Sequence, residues 1–233
     1  MVANELLVGE CKVVNAVEKV ESRPRMTRQE RRVFKTRNKL LNASSRLFAD
    51  KGIDLTTIDD ITERADLGKG TFYYHFNSKE EVITELISSV CEGLVSSIEK
   101  KTESVADLSE LLDGIIVAHI EFFSNRWDDY VLYFQGRADL KLKEGYSGIE
   151  EPFLNYLAAI EKQLDSVIKY NLPKPLLSRI ACAVAGFVSG YYSFSVIAST
   201  GEDVDRTLHS LRGALVASLC RFIKEALPSS EPK

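Results

Sequence analysis

Five of the seven residues from Lys69 to His75 carry a side-chain hydrogen-bond donor: Lys69, Thr71, Tyr73, Tyr74 and His75. Donors crowded on so short a stretch suit recognition of phosphates and base edges. Sites for bond-breaking chemistry are missing elsewhere. Gly186-Phe187-Val188-Ser189-Gly190 approximates the hydrolase GxSxG elbow, but Ser189 stands one place late and no strand-like run precedes it. Asp59-Asp60 and Glu80-Glu81 are paired carboxylates at helix starts, where the helix dipole accounts for them. There is no P-loop, GxGxxG or HExxH. His75, His119 and His209 lie far apart, and Cys11, Cys91, Cys182 and Cys220 lack CxxC spacing. Neither a metal site nor a disulfide frame is expected. The sequence predicts no catalytic residue, no metal and no cofactor; it does not read as an enzyme.

The donor run needs a scaffold, and its neighbours supply one. Thr56 and Thr57 each precede an acid by three residues (Asp59, Asp60), the pattern of a helix N-terminus. Ile58, Ile61 and Ala65 then share one helical face. Asp66-Leu67-Gly68 interrupts the pattern: Asp tolerates the left-handed region, and Leu67 can fill the angle between two helices. A second helix starting at Lys69 turns its donors outward, as a helix-turn-helix does when its second helix enters the DNA major groove. Upstream, Leu40, Leu41, Ala43, Leu47 and Phe48 form an apolar stripe over 33–50, and Gly52 ends it. Formal net charge is −4, yet residues 21–41 hold Arg23, Arg25, Arg28, Arg31, Arg32, Lys35, Arg37 and Lys39 against Glu21 and Glu30. That local positive field suits phosphate attraction.

Residues 68–81, with Lys39-Leu40-Leu41-Asn42-Ala43, the stretch 47–52 and Thr56-Thr57-Ile58-Asp59-Asp60-Ile61, resemble the DNA-binding region of the TetR family of transcriptional regulators. Three positions depart from the usual pattern. Thr62 stands where a small Ala is common, Asp66 where the turn has Gly, and Gly68 where a Ser caps the recognition helix. Lys69 and Thr71, in the first turn, are the candidates for base edges, and Gly70 lets backbone and DNA approach closely. The resemblance puts Tyr73, His75 and Lys79 at phosphate-contacting positions and Tyr74 beside a base or sugar. Thr56 and Thr57 are candidates for phosphate contact through hydroxyl or backbone N–H. Phe72 and Phe76 are expected in the core.

The rest reads as helices. Ser78-Lys79-Glu80-Glu81 is a capping box opening a long helix to about Lys100. Further helices are expected over 105–123, 127–140, from Glu150 onward, over 176–199 and over 204–226, with a polar loop through Gly145 and Gly148 and a breaker at 171–175. No strand-like alternation of useful length appears. The expected fold is all-α with about nine helices: an N-terminal three-helix helix-turn-helix domain and a C-terminal helical ligand-binding and dimerisation domain. Its divisions are an arm over 1–30 (with a weak helix at 4–20), a DNA-binding domain over 31–78, an effector-binding and dimerisation domain over 79–228, and a tail over 229–233. Residues 180–201 are uncharged and near spanning length. Their serines and tyrosines, without an aromatic belt at both ends, favour a buried helix, so no membrane partner and a cytoplasmic location are expected.

Small residues in the last two helices (Ala181, Ala185, Gly186, Gly190; Gly213, Ala214, Ala217, Ser218) permit close helix approach. The resemblance implies that both helices, about 176–199 and 204–226, pair with a symmetry mate. A two-fold homodimer would present two recognition helices to a near-palindromic operator in double-stranded DNA. His119, Phe123, Trp127, Tyr130, Phe134, Tyr156, Phe187 and Tyr191 read either as core or as the lining of a cavity for an unknown, largely apolar effector, with His119, Arg126 or Gln135 as its polar group. The expected function is a ligand-responsive repressor. The alternative is an all-helical protein-interaction or small-molecule-binding module without DNA affinity.

Overall fold

Thr27 and Glu30 form a reciprocal capping box, so helix α1 (Arg28–Lys51) begins earlier than its apolar stripe implies. The expected arm therefore loses its last residues to a helix, on a signal (Thr-x-x-Glu) that the sequence already carried. In this computed structural model the described residues are 27–124, 126–138, 150–168, 172–198 and 204–227. The expected arm and weak helix before residue 27, the loop through Gly145 and Gly148, Asn171 of the breaker and the tail 229–233 lie outside them.

Helix α2 (Ile58–Arg64), helix α3 (Lys69–His75) and helix α4 (Lys79–Thr102) follow. The start of α4 differs from the expected box. Ser78 Oγ accepts the Glu81 N–H at 3.3 Å, but the Glu81 carboxylate reaches past Ser78 to accept from the Asn77 N–H (2.7 Å) and Asn77 Nδ2 (3.0 Å). Helix α5 (Leu108–Phe123) starts later than 105 because the Asp107 carboxylate accepts from the N–H groups of Ser109 and Glu110. Then come α6 (Trp127–Ala138), α7 (Glu150–Val167), α8 (Lys174–Ala198), α9 (Val204–Ser210) and α10 (Arg212–Ala226). The fold is all-α, with ten helices and no strand among the described residues.

Helix α4 is the strut of the molecule. It packs against α5, α6 and α7, and also touches α1. Its Ile83, Ile87, Leu94 and Ile98 are fully buried, so this one helix joins α1 to the bundle that follows it. Inside the bundle, His119 is almost fully buried. Its Nδ1 lies 2.7 Å from the Ile115 carbonyl, which can only accept, so Nδ1 carries the proton. In the neutral ring Nε2 then accepts from the Tyr156 hydroxyl at 2.8 Å.

The last two expected helices need two corrections. Helix α8 is apolar in composition all round but buried on one side only. Ile180, Val184, Val188 and Tyr192 face α5 and α7, while Phe187, Phe194 and Ile197 are 53%, 73% and 73% exposed. The single helix expected over 204–226 breaks at Leu211 (φ −102°, ψ 4°). The Tyr191 hydroxyl, on α8, sits 3.0 Å from the Thr207 carbonyl and 2.8 Å from the Leu208 carbonyl. Those two carbonyls would otherwise accept from Leu211 and Arg212 in a continuous helix. Burial pushes that hydroxyl above the usual tyrosine pKa.

Gly52 closes α1 at φ +88°, ψ 157°, a region that only glycine occupies comfortably. A Cβ there would meet nothing within 4 Å. Gly52→Ala is therefore expected to destabilise by backbone strain alone, about 1–3 kcal/mol; an unchanged midpoint in denaturant unfolding would contradict this.

Candidate nucleic-acid interface

Helix α2 is locked at both ends. At its start, Thr57 Oγ accepts the Asp60 N–H at 3.2 Å while the Asp60 carboxylate accepts the Thr57 N–H at 2.7 Å. Lys51 closes on the same carboxylate at 2.6 Å. These bonds, the one from Lys51 first, hold the Asp60 carboxyl well below the usual carboxylate range. At the other end Asp66 takes φ +52°. The Leu67 N–H then donates to the Thr62 carbonyl and the Asp66 N–H to the Glu63 carbonyl, both at 3.0 Å. This is a Schellman closure with Asp in the position that glycine usually takes.

The other two departures have physical readings as well. Thr62 is buried, and its hydroxyl donates back to the Ile58 and Asp59 carbonyls at 3.1 Å, so its polar atom is satisfied inside its own helix. Gly68 stands at the N-cap of α3 with no side chain to cap it.

Phe72 and Phe76 are buried to 0% and 1% exposure and anchor α3. Tyr73 and Tyr74 are exposed (52% and 72%), as are Lys69 and Gly70, with no neighbour within 4 Å of a Cβ built at Gly70. Lys69 Nζ lies 2.7 Å from Asp59 Oδ1, and that bond raises its pKa above the ordinary lysine value. Arg37 of α1 clasps the far end of α3. It donates to the His75 carbonyl (2.9 Å), lies over the Phe76 ring (4.2 Å to the centroid) and pairs with Glu85 of α4. Sequence reading counted Arg37 only as one positive charge; no local signal connects it to residues 38 and 48 places away.

Residues 40–86 match the profile of bacterial regulatory proteins of the TetR family. Over that segment the chain is similar to the TetR family of regulators. It is 30% identical over 126 residues to the HTH-type transcriptional repressor KstR2 of Mycobacterium tuberculosis, covering 54% of this chain and 63% of that relative. It is 30% identical over 111 residues to the HTH-type transcriptional activator FasR of Mycolicibacterium smegmatis, covering 48% of each. Aligned stretches thus span less than two thirds of these curated relatives. In fold the chain is similar to the KstR2 structure (TM-score 0.58, 22% identity, 78% of this chain and 93% of that one). It is also similar in fold to the regulator FadR from Bacillus subtilis in complex with stearoyl-CoA (TM-score 0.61, 18% identity, 78% and 96%).

Not every sequence-predicted residue is placed as expected. Thr56 is buried, with its hydroxyl donated to the Gly52 carbonyl at 2.8 Å, so that hydroxyl is turned inward. The Thr57 hydroxyl is engaged in the cap of α2. Lys79 turns inward, donating to the Ile53 and Thr56 carbonyls at 2.9 Å each, and fastens the loop before α2 to the start of α4. Lys69, Gly70, Thr71, Tyr73, Tyr74 and His75 are brought together on α3.

Of the eight effector candidates, Phe123, Tyr130 and Phe134 pack on one another or on Tyr133 and Tyr192, as core. Trp127 and Phe187 are more than half exposed and line no interior wall, because both sit on outward faces of their helices. Tyr191 bonds α9. Tyr156, the partner of His119, lines two cavities. One, of about 410 Å³, lies between α4 and α7 beside Ser88, Cys91, Val95 and Asn155. The other, of about 230 Å³, is walled by Tyr133, Phe153, Leu157 and Ser189. Sequence reading left out the α4 wall, whose residues look like ordinary helix packing.

Burial, and next the nearby Arg37 charge, hold His75 below the usual imidazole value and so favour its neutral form. A phosphate brought to this ring would favour its charged form, and DNA binding would then take up a proton. Affinity for duplex DNA is expected to rise as pH falls from about 7.5 to about 6, and His75→Gln to flatten that rise. A wild-type affinity that ignores pH over this range would remove His75 from the phosphate contacts.

Proposed function

We propose that the protein is a homodimeric transcriptional regulator that represses from a near-palindromic operator and leaves it when a largely apolar effector binds. The observation that carries this is the face of α3. Its two phenylalanines are buried in the protein while Lys69, Gly70, Tyr73 and Tyr74 are exposed. Exposed aromatics of this size, interleaved with donors, suit a duplex groove. The relatives described above are named as regulators, one of them a repressor, which supports regulation over catalysis.

In this reading the DNA-binding part is residues 31–78, and residues 79–228 bind effector and dimerise. Two faces invite a second copy. Phe187, Phe194 and Ile197 of α8 are exposed, and so are Gly213, Ala214, Ala217, Ser218 and Phe222 of α10. Helix α10 packs on α5 and α9, so its small-residue face is uncovered in the single chain. A two-fold pairing through these faces would space two α3 helices about 34–36 Å apart. An effector held beside Tyr156 would act by binding a differently spaced conformation more tightly; equal affinity for both would shift nothing. The protein then works in the cytoplasm, with double-stranded DNA, its own copy and a small molecule as partners.

Gel-shift with DNA flanking its own gene is the first test: a retarded, salt-sensitive complex is expected, and reporter output falling with regulator dose distinguishes repression from activation. Phe194→Glu with Ile197→Glu should leave the fold intact, convert the dimer to monomer in light scattering, and weaken operator binding about tenfold or more. A wild-type chain that is monomeric at micromolar concentration would refute the dimer.

A further inference from the structure

We infer that Asp59 is a specificity-determining residue: it holds Lys69, the first residue of the recognition helix, against unselective phosphate contact. This rests on the DNA-binding reading above.

The neighbouring acid, Asp60, is occupied in the cap of α2 with Thr57 and Lys51. Asp59 is the one turned toward α3, 72% exposed, with its Oδ1 2.7 Å from a Lys69 ammonium that is itself 54% exposed. The charge that α2 and α3 present at this point is thus a carboxylate–ammonium pair instead of a bare cation. Three other cations of this region have partners elsewhere: Lys51 on Asp60, Arg64 on Asp50, Arg37 on Glu85.

The consequence follows from the chemistry of the two possible acceptors. A bare lysine gains on any duplex by displacing counterions, whatever the sequence. Leaving Asp59 for a phosphate trades one anion for another and strands a carboxylate in the field of the DNA. Guanine differs, because it offers O6 and N7 in the major groove, and an ammonium has three donors. Lys69 can bond that edge with two of its donors and keep Asp59 on the third. The pair therefore penalises random sequence more than a site with a G·C pair in reach.

The test compares wild type, Asp59→Asn, Lys69→Ala and the double variant. Each is titrated at several salt concentrations with a duplex that the wild type selects from a random pool, and with random-sequence duplex. Asp59→Asn, nearly isosteric and at an exposed position, should retain the wild-type circular dichroism. It is expected to bind random duplex about threefold to tenfold more tightly, with a steeper salt dependence and a smaller gain on the selected duplex. In the Lys69→Ala background the same change should leave discrimination unaltered. Equal tightening on both duplexes, or the same loss of discrimination with Lys69 absent, would overturn the inference. Failure of the wild type to select any duplex would instead overturn the DNA-binding reading beneath it.

Discussion

A seven-residue helix has no stability of its own in water, and α3 exists because Phe72 and Phe76 are buried one turn apart. Each buried phenylalanine contributes about 1.5–3 kcal/mol of hydrophobic free energy, enough to hold so short an element. The anchor also fixes the helix's rotation. With Phe72 and Phe76 inward, Gly70 and Tyr74 point away from the protein, and Lys69 and Tyr73 lie along a flank, where Asp59 is in reach. Binding chemistry at this surface is thus set by a packing decision made underneath it.

Two cations then tie this small unit to the bundle. Arg37 joins the end of α3 to Glu85, and Lys79 joins the loop before α2 to the first turn of α4. Both connections end on α4, whose other faces pack on α5, α6 and α7. The cavity beside Tyr156 shares the α4 wall. A single helix therefore borders the interior space and carries the attachments of the recognition helix. No local sequence pattern distinguishes such attachments from surface charge.

The C-terminal helices obey a different constraint. Helix α8 is apolar on every side yet has neighbours on only part of its circumference, leaving large hydrophobic side chains in water. Exposed apolar patches of this kind are unusual for a surface that stays solvated. The break between α9 and α10 has its cause here too, since the Tyr191 hydroxyl of α8 takes the carbonyls that a continuous helix would use. Tertiary contact overrode a helical pattern with no proline or glycine at the break.

Much of the architecture was legible in the residues. Periodic apolar stripes gave the helices, and Thr57, Ser78 and Gly52 marked ends that the folded chain uses. The run from Lys69 to His75 displayed its donors because a helix exposes what its anchors do not bury. Other matters depended on residues far apart in the chain. Tertiary structure decided that the Thr56 hydroxyl faces inward, that Lys79 fastens a loop, and that Trp127 and Phe187 leave the interior while Tyr133 and Tyr156 wall it. Helical periodicity records which faces are apolar, and it is silent on which apolar face another element will cover. A charged side chain in sequence likewise has no direction until the fold places a carbonyl or a carboxylate within its reach.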